Sequence, residues 1–222
     1  MSAWIWKNKV IWLVAWVVGM VALDQGSKMW AQGALAEPRV EVKASEQASP
    51  DGATTEKVDE RTEDFVPKRT IVVVPGLWNF KYAENRAAAF SLTQSIPEGA
   101  RRPLLLLVSL CACALIAAWY MKLKSPDALL MTSFALIIAG ALGNFLDRAR
   151  LAYVIDFIDF YVASDGLGAW LREPHNIVGI SFRLSDHWPT FNVADSCIVS
   201  GAIGVILRTL RPLPVGPAKP AS

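Results

Sequence analysis

Four stretches of the chain stay apolar for close to twenty residues, and polar positions separate them. They run over residues 10–31, 103–123, 127–146 and 191–210. A helix needs about 20 mostly apolar residues to cross the hydrocarbon layer, so the pattern predicts an all-α membrane protein with four transmembrane helices. The first stretch also admits a cleaved signal peptide, because Lys7 and Lys9 precede it and Ala34-Leu35-Ala36 follows. Asp24 and Lys28 lie within its helical continuation, which is too long and too charged for a cleavage region, so it is read as a span. Gly140 and Gly143 in the third stretch allow a neighbouring helix to come close.

Between the first two spans, residues 32–102 form a long loop. Its 37–70 portion is rich in Glu, Asp, Ser, Thr and Pro, and is read as an insertion. Residues 41–64 hold too little apolar surface to offset ordering and are expected to be mobile. From Thr70 to Phe80 the chain becomes β-branched, with Pro75-Gly76 marking a turn, which predicts a small β element outside the membrane. A second long polar-aromatic excursion covers 147–190, of which 164–189 looks extended, and a Pro-rich tail covers 211–222. Trp4, Trp6, Trp12, Trp16 and Trp30 read as belt and packing residues.

Composition narrows the picture. Of 222 residues 53% are apolar and 19% charged, with a net charge of +2, too small for a nucleic-acid footprint. Cys111, Cys113 and Cys197 all fall in apolar stretches, so they read as small buried side chains without a disulfide framework. Lys7, Lys9, Lys122, Lys124, Arg208 and Arg211 flank one side of a four-span chain, which places residues 1–9 and the C-terminal tail in the cytoplasm. Arg101 and Arg102 fall on the opposite side, at the end of a long loop where the charge rule decides less.

Ionisable residues at membrane depth are expensive, and each is a functional hypothesis. Asp24-Gln25-Gly26-Ser27-Lys28, Glu84-Asn85-Arg86, Asn144-Phe145-Leu146-Asp147-Arg148, Val154-Ile155-Asp156-Phe157 and Phe191-Asn192-Val193-Ala194-Asp195 all sit at the outer ends of spans or in adjoining loops. In their order and their placement against four spans, DQGSK, ENRAAAFS, GALGNFLDR, VIDFIDFY and FNVADS resemble the lipoprotein signal peptidases, the bacterial signal peptidase II family. Ala87 and Ala139 stand where that family often carries glycine.

The resemblance implies an intramembrane aspartyl endopeptidase of the bacterial inner membrane, cutting prolipoproteins before a diacylglyceryl-modified cysteine at the outer face. It implies Asp156 and Asp195, 39 positions apart, as the catalytic pair. Asn85, Asn144, Arg148 and Asn192 match positions that line the family's substrate site, while Asp24, Lys28 and Asp147 look supportive. A prolipoprotein substrate and membrane lipids are the implied partners, the chain acting as a monomer, with no cofactor and no metal.

The chemistry of the residues agrees. Two carboxylates can hydrolyse an amide when one holds a proton and the other is ionised to activate water. Asp195 falls in the first turn of the fourth span, where the helix dipole favours the ionised form, which leaves Asp156 as the protonated partner. Plainer roles compete at several positions. Asp147 with Arg148 reads as an interfacial ion pair, Lys28 as snorkelling or paired, Asn144 and Asn192 as caps or bridges, and Asp159 as solvated. His175 and His187 are too scattered for a metal site, no H-E-x-x-H occurs, and Ser27 and Lys28 point in different directions on a helix. The alternatives from other classes are a small proton-coupled transporter or channel subunit using interfacial aspartates, and a non-catalytic assembly factor that kept the fold.

Overall fold

The computed structural model describes residues 7–38, 65–86, 97–123, 127–162, 166–177, 180–183 and 185–210. The expected mobile segment 41–64, Ala87, Trp4 and Trp6 lie outside them. The chain divides into two compact units, one of Met1–Met29, Asn85–Val154 and Phe191–Ser222, the other of Trp30–Glu84 and Ile155–Thr190.

The first unit is a helical bundle built from α1 (Lys9–Leu35) as far as Met29, α2 (Glu98–Met121), α3 (Ala128–Leu151) and α5 (Val193–Leu210). All four are long and apolar enough to cross a membrane. At 24 residues, α2 and α3 each span roughly 36 Å at 1.5 Å per residue, more than the ~30 Å hydrocarbon layer. The helices overrun the apolar stretches that predict them. Helix α1 continues four residues past Ala31, through Gly33, with no proline before Pro38. Helix α2 begins five residues before Pro103, which lies inside it. Helix α3 carries Asn144, Asp147 and Arg148 in its last turns before ending at Ala152, left-handed with φ 68°.

One end of the bundle is sealed by Tyr120, Met131 and Phe134, with Trp12, Leu13, Ile116, Leu123, Leu130 and Val205 packed on them. The Tyr120 hydroxyl donates to the Lys9 carbonyl at 2.5 Å, and Lys9 Nζ to the Met121 carbonyl at 2.9 Å. Asp127 caps α3 by accepting the Leu130 N–H at 3.0 Å, and its other oxygen pairs with Arg208. Burial alone would push the Asp127 carboxyl up, but that N–H and the Arg208 guanidinium hold it below the ordinary range. Of the cationic residues expected to share one side of the membrane, Lys9 and Arg208 thus lie at one end of the bundle, while Lys124 and Arg211 fall outside the described residues.

Helices α3 and α5 meet along a seam of small residues. A Cβ on Gly201 would stand 2.6 Å from the Ser133 carbonyl oxygen, and one on Gly140 would collide with the Ala194 carbonyl. Away from the seam, Leu107, Val108, Val199, Ile203 and Leu207 present an exposed apolar face, as lipid contact requires. The expectation of three buried cysteines is corrected here: Cys111 is exposed, Cys113 half-buried, and only Cys197 buried. An apolar stretch facing lipid need not be covered by protein. All three are free thiols.

The second unit holds the short sheets. β1 (Ala36–Pro38) pairs antiparallel with β2 (Phe65–Pro67), bringing Pro38 opposite Phe65. β3 (Ile71–Val74) and β4 (Trp78–Asn85) form the hairpin expected around Pro75-Gly76, with Gly76 at φ 79° as the turn demands. β5 (Val154–Phe160) joins them to make a three-stranded sheet in the order β3-β4-β5. A short helix α4 (Leu167–Arg172) and the hairpin β6 (Pro174–Ile177) and β7 (Ile180–Arg183) complete the unit. Trp30 packs edge-on against Phe80 and Phe157, with ring centroids 5.2 and 6.1 Å away.

Candidate active site

At the bundle end opposite the Tyr120 cluster, polar residues of three helices converge. Helix α5 starts with a reciprocal cap: the Asp195 N–H donates to Asn192 Oδ1 at 3.0 Å, and the Asn192 N–H to Asp195 Oδ2 at 3.3 Å. The sequence Asn-Val-Ala-Asp specifies this, with an Asn at the cap and an acidic acceptor three residues on. The next free N–H of the turn, that of Ala194, donates to Asp24 Oδ1 of α1 at 2.9 Å. The helix start is therefore satisfied partly from its own sequence and partly from another helix.

Lys28 lies one turn beyond Asp24 and is 1% exposed. Its ammonium reaches Asp24 Oδ2 at 2.9 Å, Asp147 Oδ2 at 2.8 Å and Asn144 Oδ1 at 3.1 Å. Three acceptors match its three protons, which makes a buried charge tolerable at this depth. Of the two roles read for Lys28, pairing is the one observed. Gln25 Nε2 donates to Asp147 Oδ1 at 2.9 Å and to Asp24 Oδ2 at 3.1 Å, tying the two carboxylates together. Asp147 is thus a buried partner of Lys28 and Gln25 rather than a surface anchor of its helix end.

Asn144 joins this network to the carboxylate of Asp195. Its Oδ1 also accepts from Asn192 Nδ2 at 3.2 Å, while its Nδ2 donates to Asp195 Oδ1 at 2.7 Å. Asn192 caps α5 and bridges to Asn144, whereas Asn144 bridges α3 to α1 and α5 and caps no helix. Arg148, one turn beyond Asn144, is half-buried and approaches the Asn144 carbonyl at 3.5 Å. The bundle therefore gathers Asp24, Lys28, Asn144, Asp147, Arg148, Asn192 and Asp195. Asn85, the last residue of β4, is half-buried.

Asp156 stands on β5 in the second unit and is 1% exposed. The same strand carries Asp159, and here the sequence reading is corrected. Asp159 is not solvated but 1% exposed, with His187 Nδ1 at 2.9 Å and Lys81 Nζ and Asn79 Nδ2 each at 3.5 Å. His187 in turn stacks on Tyr161 at 5.4 Å between centroids. The strand itself was a missed signal: Val-Ile-Asp-Phe-Ile-Asp-Phe is β-branched and aromatic, but its polar positions recur every third residue and hide the alternation of a strand. Among the described residues, no three His, Cys, Asp or Glu side chains group so as to hold a metal ion.

Comparison with known proteins gives one consistent result. The family model described as signal peptidase (SPase) II matches residues 16–211. The lipoprotein signal peptidase of Geobacter metallireducens is 38% identical over 161 residues, covering 72% of this chain and 83% of that protein. That of Xylella fastidiosa strain 9a5c is 29% identical over 203 residues, covering 91% and 90%. Among solved structures, a bacterial membrane enzyme determined by the in meso method superposes with a TM-score of 0.57 at 20% identity, covering 95% of this chain and 94% of that one, which speaks to the fold. These matches lend no support to the proton-coupled transporter reading.

Proposed function

Since the chain belongs to the signal peptidase II family, we propose that it removes the signal peptide from lipid-modified prolipoproteins by a two-aspartate mechanism. The observation that carries this reading is the setting of Asp195. Its two oxygens each receive an N–H, from Asn144 and from the Asn192 backbone, and the carboxylate sits in the first turn of a helix. Such donors and the helix dipole favour a charged carboxylate held in one orientation, which suits the group that activates water. Asp156, 1% exposed on β5, is the complementary group that holds a proton and polarises the scissile carbonyl.

Water loses a proton to Asp195 and attacks the carbonyl, whose oxygen takes the proton of Asp156; the C–N bond of the resulting gem-diol then breaks as Asp195 passes its proton to the leaving amine and a gem-diol hydroxyl returns a proton to Asp156. In this reading Arg148, Asn85 and the asparagine side chains grip the extended signal peptide, and Asp24, Lys28 and Asp147 fix the start of α5. The cut precedes the diacylglyceryl cysteine. The bundle end bearing Asp195 faces outward, with both termini in the cytoplasm of a bacterial inner-membrane protein acting as a monomer.

The test is incubation of the purified full chain with a diacylglyceryl-modified prolipoprotein, following release of the signal peptide. Asp195→Asn and Asp156→Asn should each abolish release, since a carboxamide cannot shuttle the proton. Asn at 195 keeps one acceptor of the cap, so the helix start survives. Asp159→Asn, which removes a buried carboxylate from the same strand as Asp156, should leave turnover measurable. Substantial cleavage by either of the first two variants would overturn the pair.

A further inference from the structure

Beside Arg148, to which the hydrolytic reading gives a hold on the substrate, the bundle carries three arginines which that reading leaves unused. A cavity of about 300 Å³ opens where α2 begins and α3 ends, and four guanidinium side chains line it: Arg86, Arg101, Arg102 and Arg148. Pro103 and Leu105 complete its apolar side, and no acidic residue is among the described residues that line it. Arg86 lies 5.0 Å above the Tyr153 ring. Arg102 is anchored by donating to the Arg148 carbonyl at 3.0 Å and the Ala149 carbonyl at 2.6 Å. Helix α2 has Pro97 at its N-cap and no side-chain cap, so the positive end of its dipole adds to the field. Arg101 and Arg102 are also the cations that oppose the topology signal of the sequence.

We infer that this cavity binds the phosphodiester of an anionic phospholipid headgroup at the rim of the bundle. Guanidinium forks match phosphate oxygens in geometry and charge. A volume of ~300 Å³ equals roughly ten water molecules at about 30 Å³ each, enough for a phosphodiester and its glycerol. The source is lipid rather than free phosphate because the cavity sits at the ends of two spans. On α2 just below it, Leu104, Leu107 and Val108 are exposed, a track along which acyl chains lie.

The experiment uses the full chain in phosphatidylcholine vesicles doped with spin-labelled phosphatidylglycerol or spin-labelled phosphatidylcholine, and reads the fraction of each label immobilised. The wild-type chain should prefer the anionic lipid. Arg101→Gln with Arg86→Gln should reduce that preference at least about fivefold, the scale of losing a hydrogen bond to a charged group. Arg101→Lys keeps the charge without the fork and should fall between, which separates recognition from misfolding. Arg150→Gln, which removes an exposed arginine outside the cavity, should leave the preference intact. Equal retention of both lipids by the wild type, or an unchanged preference in the double variant, would overturn the proposal. Displacement of the label by millimolar inorganic phosphate, with no preference for the lipid form, would assign the cavity to free phosphate and overturn the lipid source. The readout is binding, so it stands or falls independently of cleavage.

Discussion

Asn144 hands one N–H to Asp195 Oδ1 across 2.7 Å while its carbonyl oxygen accepts from Lys28 Nζ at 3.1 Å. A single carboxamide thus couples the candidate catalytic carboxylate to a fully buried ammonium. Neither neighbour can shift without disturbing the other.

Replacing Asn144 with Leu removes the donor to Asp195 and keeps the approximate volume. A hydrogen bond to a charged group contributes about 1.5–3 kcal/mol, so kcat should fall roughly ten- to hundredfold, with a smaller change in KM. Steady-state cleavage of a lipid-modified substrate measures the split. An unchanged kcat would remove Asn144 from the positioning of Asp195.

Lys28→Met leaves Asp24 and Asp147 buried at 1% and 2% exposure without the cation between them. Breaking a buried pair in this way costs about 3–5 kcal/mol. The variant should therefore melt well below the wild-type chain in the same detergent. Combining it with Asp24→Asn and Asp147→Asn should recover part of the loss, because no carboxylate is then left uncompensated. Failure of the triple variant to recover would mean that Lys28 acts chiefly through Asn144.

Gly143 is where helix packing and the polar network meet. An added Cβ would stand 2.5 Å from Asp24 Oδ2 and 3.1 Å from the Ala194 side chain. Gly143→Ala should cost about 1–3 kcal/mol through overpacking. It should also lower activity, because the displaced Asp24 releases the Ala194 N–H at the start of α5. Thermal unfolding and cleavage of the same preparation check both parts.

The spans were legible because twenty consecutive apolar residues have few other uses, and Gly140 and Gly143 announced a close seam. The cap at Asn192–Asp195 was legible in part, since Asn and Asp at that spacing mark a helix start. What the sequence hid depends on distance along the chain. That Lys28 is shared among Asp24, Asp147 and Asn144 requires α1 and α3, over a hundred positions apart, to meet in register. Asp159 looked like a solvated loop residue because its partner His187 lies 28 positions on and its strand lacks clean alternation. Helices run past the apolar stretches wherever polar residues continue them, as Asp147 and Arg148 do in α3.

At the opposite end, Asp127 gives a pH dependence of stability. Its carboxyl lies below the ordinary range in the folded chain despite burial, owing to the Leu130 N–H and Arg208. A group lowered on folding contributes stability above its unfolded value, about 3.9, and loses it as pH falls through that value toward the folded one. Asp127→Ala should cost about 1 kcal/mol at neutral pH from the lost cap. Asp127→Asn keeps a capping oxygen and should lose only the Arg208 contribution. In both variants the acid-side decline of the melting temperature between pH 5 and 3, pH values set by about 3.9 for a free Asp, should flatten relative to the wild type. An identical decline in all three would show that other carboxylates govern acid stability.

The pairing of β1 with β2 bears on the acidic segment of the first loop. Pro38 and Phe65, which flank residues 39–64, are opposite one another in an antiparallel ladder, one strand spacing or about 5 Å apart. A turn of two to five residues closes such a gap in ordinary hairpins. A shorter loop costs no more closure entropy than a longer one, and none of the residues placed at the site falls within 39–64. Replacing that segment with a short Asn-Gly turn should leave the melting temperature within a few degrees and retain cleavage of a simple lipid-modified substrate. A change confined to KM, or to the choice between two substrates, would make the segment an accessory that handles substrate. Loss of folding, or of all cleavage with folding intact, would instead make it part of the working structure and defeat the expectation that it is dispensable.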